Sequence, residues 1–156
     1  MSSVNEAEFV DAISASHSES IESATILRSK RVSVVVKLEA ILEVAEALRD
    51  EYGFKTPSAA GGVDYNREDR MQMIYYLFNP DSKITLTYRV DLPRDDPSLP
   101  TLTGIWEAMS FHEREAHEMF GIEFEGHSNM IPLLITPDWR GGYPLRKDFK
   151  GEAPAE

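Results

Sequence analysis

Ten residues, KITLTYRVDL at 83–92, constrain this chain more than any other stretch. Ile84, Leu86, Tyr88, Val90 and Leu92 alternate with Lys83, Thr85, Thr87, Arg89 and Asp91. Side chains along a strand point to opposite faces with a period of two. The pattern therefore predicts a strand with one apolar face and one wet face. Half-buried strands of this kind belong to antiparallel sheets, whereas parallel sheets are covered on both sides. A fold built around this strand needs neighbouring strands beside it and helices on one face.

The rest of the chain supplies those neighbours. Residues 71–78, MQMIYYLF, are apolar and aromatic enough for a central strand, and NPDS at 79–82 turns the chain between the two. Upstream, ATILRSKRVSVVVK reads as a hairpin, with Val32, Val34 and Val36 alternating with Ser33 and Lys37. In the following segment Leu38, Ile41, Leu42, Ala45 and Leu48 fall on one helical face, and Gly53 supplies the stop. Ser3 and Glu6 form a capping-box pattern ahead of Phe9, Val10 and Ile13, which predicts a short helix over about residues 4–15. SASHSES breaks it and leaves His17 in a solvated loop. Prolines at 93, 97 and 100 mark a loop, and a helix is expected from Gly104 to Phe120.

After Gly121 no periodicity survives, and Pro132, Pro137, Pro144 and Pro154 forbid a long helix. The expected architecture is α+β: a mostly antiparallel sheet with helices packed on one face, plus an extended C-terminal arm. Residues 1–127 form the domain, of which 1–25 are a poorly defined helix and loop. Residues 128–156 form the arm.

Composition narrows the function. A net charge of −11 repels nucleic acid, whose binding proteins need a basic face to release counterions. The absence of cysteine removes thiol nucleophiles, disulfides and cysteine-held iron–sulfur or zinc sites. The N-terminus, MSSVNEAEFVDAI, is acidic and does not read as a signal peptide. No apolar run is long enough to cross a bilayer, so a membrane is met through partners. Phosphate-loop, dinucleotide and nucleophile-turn motifs are also missing.

Metal chemistry has one place to occur, FHEREAHEMFGIEFEGH at 111–127, which holds three of the four histidines. On a helix His112 and His117 lie about 140° apart, so one ion cannot take both. No Glu-x-x-His pair is present there either. Ile105, Met109, His112, Ala116, Met119 and Phe120 form the expected core stripe, with Arg114 pointing away from it. No metal or catalytic residue is therefore expected. The remaining anomaly is WRGGYPLRKDFK at 139–150, where Arg140, Arg146, Lys147 and Lys150 face Asp148 alone. A basic, aromatic arm on an acidic chain suits a partner surface or, equally, a tail folded back on its own domain.

The stretch from 91 to 149 contains DLPRDDPSLPTLTGIWEAMSFHEREAHEMFGIEFEGH and PDWRGGYPLRKDF. Its E-R-E, F-G-I, G-H and P-L-R-K-D blocks, in that order, resemble the 30-kDa (C-type) subunit of complex I. GVDY at 62–65 fits more loosely, and residues 1–25 carry no resemblance. The chain departs from the family pattern at His117, at Ile131 and Pro132, and by one extra residue after Trp139. The resemblance implies a peripheral-arm subunit without its own cofactor, docked on a large hydrogenase-like subunit near the quinone site. Iron–sulfur clusters and flavin are then expected in partner subunits. It implies support of electron transfer to quinone or methanophenazine, coupled to ion translocation, at the cytoplasmic side of the membrane. It marks Glu113, Arg114, Glu115, His127, Trp139, Arg140, Tyr143, Arg146, Lys147 and Asp148 as motif and partner-interface positions, with Arg146 and Lys147 paired on the large subunit. A short, separate, acidic chain is similar to standalone archaeal-type members, such as the C-type subunit of the methanogen deazaflavin-coenzyme dehydrogenase. Subunits of membrane-bound hydrogenases or sulfur reductases are an alternative. A free-standing histidine/carboxylate metal protein and a soluble adaptor are further ones.

Overall fold

The computed structural model describes residues 4–151. Helix α1 (Glu6–Ser16) begins at a capping box formed by Asn5 and Glu8. The Asn5 side chain accepts from the Glu8 amide at 2.9 Å, and the Glu8 carboxylate accepts from the Asn5 amide at 3.2 Å. This places the box two residues beyond the expected Ser3–Glu6 pair, and Ser3 lies outside the described residues. With Asn5 as cap, Phe9 and Ile13 both face the core, four residues apart on one side of the helix. His17 is not a solvated loop residue. It ends α1, its side chain is only 11% exposed, and its Nδ1 lies 3.8 Å from Glu43.

Strands β1 (Ile21–Arg28) and β2 (Arg31–Val36) form the expected antiparallel hairpin. Lys30 turns it in the left-handed region at φ 61°. A single 3-10 turn at Leu38–Ala40 leads into helix α2 (Ile41–Asp50). That turn shifts the helical phase, so Ile41, Val44, Ala45 and Leu48 are buried while Leu42 is exposed. Strand β3 (Thr56–Tyr65) pairs with β4 (Arg70–Phe78), and β4 pairs with β5 (Thr85–Pro93). Strand β3 was not legible as a strand, because its alanines, glycines and proline have little strand propensity of their own. The Asn79 side chain closes the β4–β5 turn by accepting from the amides of Asp81 and Ser82.

The five-stranded sheet has the order β1-β2-β5-β4-β3. Three of its pairings are antiparallel, and β2 with β5 is parallel. After β2 the chain crosses through α2 to the far edge, then folds back by two hairpins. Its last strand enters beside β2 in the same direction. The alternation in β5 is as expected: Leu86, Tyr88, Val90 and Leu92 are buried against the helices. The opposite face is polar and cross-linked. Arg89 donates to the Ser33 hydroxyl and to Gln72, and Gln72 and Arg70 donate to Asp91.

Strand β6 (Ser98–Pro100) lies in the proline-rich loop and pairs in parallel with β7 (Glu123–Glu125). Between them runs α3 (Met109–Phe120). Its start is five residues later than expected, because Thr103–Ala108 form turns in which Trp106 donates its indole N–H to the Phe54 carbonyl at 2.9 Å. All three helices supply buried side chains to one core on one sheet face. Residues 128–151 contain no helix or strand.

Candidate functional site

Helix α3 is the hub of the C-terminal half. Its buried residues are Met109, Glu113, Arg114, Ala116, Glu118 and Phe120. Three of these are charged: Glu113 is committed to the sheet and the loop after β6, and Arg114 and Glu118 to the arm. His112, expected in the middle of the apolar stripe, is half-buried at its edge. The stripe is rotated by about one residue towards Glu113. A hydropathy pattern misses this, because a carboxylate enters a core only where donors await it.

Glu113 is fully buried. Its carboxylate accepts from the Tyr75 hydroxyl at 2.9 Å, the Leu102 amide at 2.8 Å and the Thr101 hydroxyl. It therefore ties α3 to the sheet and to the loop after β6. Burial pushes the Glu113 carboxyl above the ordinary carboxylate range, opposed by these three donors and by nearby His127. Burial, and secondarily the Glu113 charge, pushes the Tyr75 phenol well up.

Next to Glu113 and a turn beyond it on α3, Arg114 and Glu118 hold the arm by its backbone. Arg114 was expected to point away from the packed face, but it is only 7% exposed. Its Nε donates to the Ile131 carbonyl at 3.1 Å and its Nη2 to the Pro132 carbonyl at 3.2 Å. Glu118 accepts from the Leu133 amide and, at 2.9 Å, from the Leu134 amide. Four successive residues of the arm are thus held through main-chain groups by two side chains four apart on one helix.

The arm is pinned again at the end of the helix. Gly121 adopts φ 77°, and a Cβ there would lie 2.6 Å from the Tyr143 ring. Through this gap Arg146 donates to the Phe120 carbonyl at 2.7 Å, and the Leu145 amide donates to the Met119 carbonyl at 3.0 Å. The Arg146 guanidinium lies over the Tyr143 ring at 4.7 Å. Further on, the Lys147 amide donates to Asp64. Asp64 accepts a two-pronged contact from Arg94 at 2.8 and 3.1 Å, and Arg94 also meets Asp148 at 3.2 Å. The Arg94 hydrogen bond holds the Asp64 carboxyl below its usual range, and Asp64 in turn raises Arg94.

The positions marked from sequence thus separate into two groups. Glu113, Arg114, Arg146 and Asp148 are engaged within the chain, and so is His127, whose ring meets Ser110. Glu115, Arg140, Tyr143 and Lys147 have exposed side chains. Trp139 is also exposed, although its N–H reaches the Gly142 carbonyl at 2.8 Å. Glu118, Asp64, Arg94 and Tyr75 were missed. The spacing of Glu118 four residues after Arg114 was the available signal for one of them. The histidines do not converge: His117 Nδ1 meets the Ile122 carbonyl, and among the described residues no cluster of histidines and carboxylates could hold a metal ion.

While its backbone is held, the arm turns apolar side chains outward. Ile131 is 56% exposed, Leu134 61% and Leu145 51%, and Phe111 on α3 is 61% exposed. Between arm and helix lies a cavity of about 310 Å³, lined by His117, Met130, Ile135, Trp139 and Tyr143 among others. No described helix is long and apolar enough to cross a membrane.

Residues 34–155 match the family described as respiratory-chain NADH dehydrogenase, 30 Kd subunit. The NADH-quinone oxidoreductase of Citrifermentans bemidjiense has a C-type subunit that is 38% identical over 124 residues, covering 79% of this chain and 76% of that one. The corresponding C-type subunit of the F(420)H(2) dehydrogenase of Methanosarcina mazei is 30% identical over 142 residues, covering 91% and 90%. Among solved structures, a chain of the membrane-bound sulfane sulfur reductase, an archaeal respiratory membrane complex, superposes with a TM-score of 0.83 at 26% identity. That match covers 93% of this chain and 85% of the other.

Proposed function

The chain belongs to the family of the respiratory-chain NADH dehydrogenase 30 Kd subunit, and from that premise we propose how it serves its complex. It is a subunit of a complex I-like redox assembly, and its partners are other subunits of such an assembly. In our reading it carries no cofactor. It docks on the large hydrogenase-like subunit near the quinone site, and flavin and iron–sulfur clusters sit in the partner subunits. It supports electron transfer to quinone or methanophenazine coupled to ion translocation, and it reaches the cytoplasmic membrane surface through those partners.

The observation that carries this reading is the arm. It is fixed in place, yet it exposes large apolar side chains and also the outward cations Arg140, Lys147 and Lys150. Contiguous exposed apolar surface marks an interaction site. Cations on a chain of net charge −11 suit a partner rimmed with carboxylates. Tagged protein purified from detergent extract is expected to bring down a hydrogenase-like subunit and iron–sulfur subunits, identified by mass spectrometry. Recovery of the chain alone from freshly solubilised membranes would contradict the proposal. The likeness to the sulfane sulfur reductase chain supports a second reading, a place in a sulfur-reducing or hydrogen-evolving relative. The electron acceptor used by the captured complex separates the two.

A further inference from the structure

We propose that Arg114 and Glu118 act as a clamp that sets the 131–134 segment in its docking shape before the partner arrives. The occupant of the ridge so formed is a protein subunit with an apolar groove and an acidic rim. This inference rests on the docking role proposed above and adds the means by which the surface is made.

Three observations carry it. First, the clamp grips main-chain atoms alone: two carbonyls by Arg114 and two amides by Glu118. The side chains of Ile131, Pro132, Leu133 and Leu134 are left exposed. A segment that folded for its own sake would turn those side chains inward, since their burial is what stabilises a loop. Second, the two gripping side chains are themselves buried, at 7% and 9% exposure. Burying charge is costly unless every partner is in place, so the arrangement holds only while the segment keeps this shape. Third, Arg140 lines the same cavity as Ile131 and Pro132, and its exposed side chain carries the opposite sign to the chain as a whole. An anionic lipid surface shares the charge of such a rim, but the relatives are subunits of multi-subunit complexes, which favours a protein surface.

Fixing a loop beforehand removes the ordering penalty that binding must otherwise meet. It acts on association more than on dissociation, because the final contacts are the same once the loop is seated. Glu118→Gln is the informative variant. It places an amide NH2 against a backbone N–H and leaves the volume unchanged.

The probe is detergent-solubilised complex from cells lacking this subunit, titrated with purified full-length chain. Glu118→Gln should be cleaved within 128–140 about tenfold faster by a nonspecific protease. It should associate about tenfold more slowly with nearly unchanged dissociation. Arg114→Lys, which keeps a donor, should fall between the variant and the wild type, and it replaces Glu118→Gln if that variant does not fold. Unchanged cleavage, or faster cleavage with unchanged association, overturns the clamp.

The ridge itself is tested with Ile131→Ser and Leu134→Ser together. That variant should bind weakly with normal protease resistance. Normal binding of the ridge variant overturns the docking reading rather than the clamp alone. If the ridge variant loses binding to phosphatidylglycerol vesicles but keeps binding to the complex, the occupant is lipid and the proposal is wrong.

Discussion

Removing the Glu113 side chain would leave the Tyr75 hydroxyl and the Leu102 amide without an acceptor inside the core. Glu113→Ala is therefore expected to destabilise the domain by about 3 kcal/mol, read by urea unfolding. Its ionisation has a definite sign. Burial raises the folded pKa above the ordinary value of 4.5. The folded state then binds the proton more tightly, and Glu113's contribution to stability falls as pH rises from 4.5 through the raised folded value. The advantage of wild type over Glu113→Gln should grow as pH drops from neutrality towards that range, and parallel pH profiles would rule this out. Asp64 acts in the other direction. Its folded value is held below 3.8 by Arg94, so its stabilisation is present above 3.8 and is lost as pH falls through the lowered value. Gly121 is a second sensitive residue. Gly121→Ala forces a side chain into the left-handed region and against Tyr143. A loss of about 1–2 kcal/mol is expected, with faster proteolysis of residues 139–150.

At the scale of elements, α3 and the arm form one unit, and their contacts let two adjacent cations be told apart. Arg146 donates to the Phe120 carbonyl at the C-terminal end of α3, where a positive charge is favourable. The Lys147 side chain is exposed, and only its backbone amide is used, by Asp64. Arg146→Glu should lower the stability of the isolated chain by about 2 kcal/mol and weaken copurification as well. Lys147→Glu should leave the melting temperature within about 2 °C of wild type while reducing copurification, more so at low salt. Equal melting losses in the two variants would show that the arm's cations serve only its own domain. The sequence left open whether the arm meets a partner or folds back, because each anchor is a backbone group or a single side chain met far away along the chain. Asp64 and Lys147 are 83 residues apart.

For the whole molecule, the expectation is a colourless, metal-free chain. The cysteine count is zero, and His117 and His127 turn to separate partners. Stoichiometric zinc or iron that survives dialysis and disappears in His117→Ala would overturn this, measured by elemental analysis of the purified protein.

By itself the sequence determined what local periodicity and local chemistry can determine. The β5 alternation specified its two faces, the RSK and NPDS turns placed the hairpins, and the prolines after Gly121 ruled out a final helix. The ordered blocks from 91 to 149 specified the family. Only the tertiary structure decided which side of α3 is inside. Glu113 is buried by donors from β4 and from the β6 loop, which no window around residue 113 contains. The parallel pairing of β2 with β5 likewise depends on where the chain re-enters the sheet, which strand patterns do not encode. The arm's course was decided in the same way. Apart from Arg146 and Asp148 it is held through its main chain, so most of what fixes it is written on α3, Asp64 and Arg94, far from the arm in sequence.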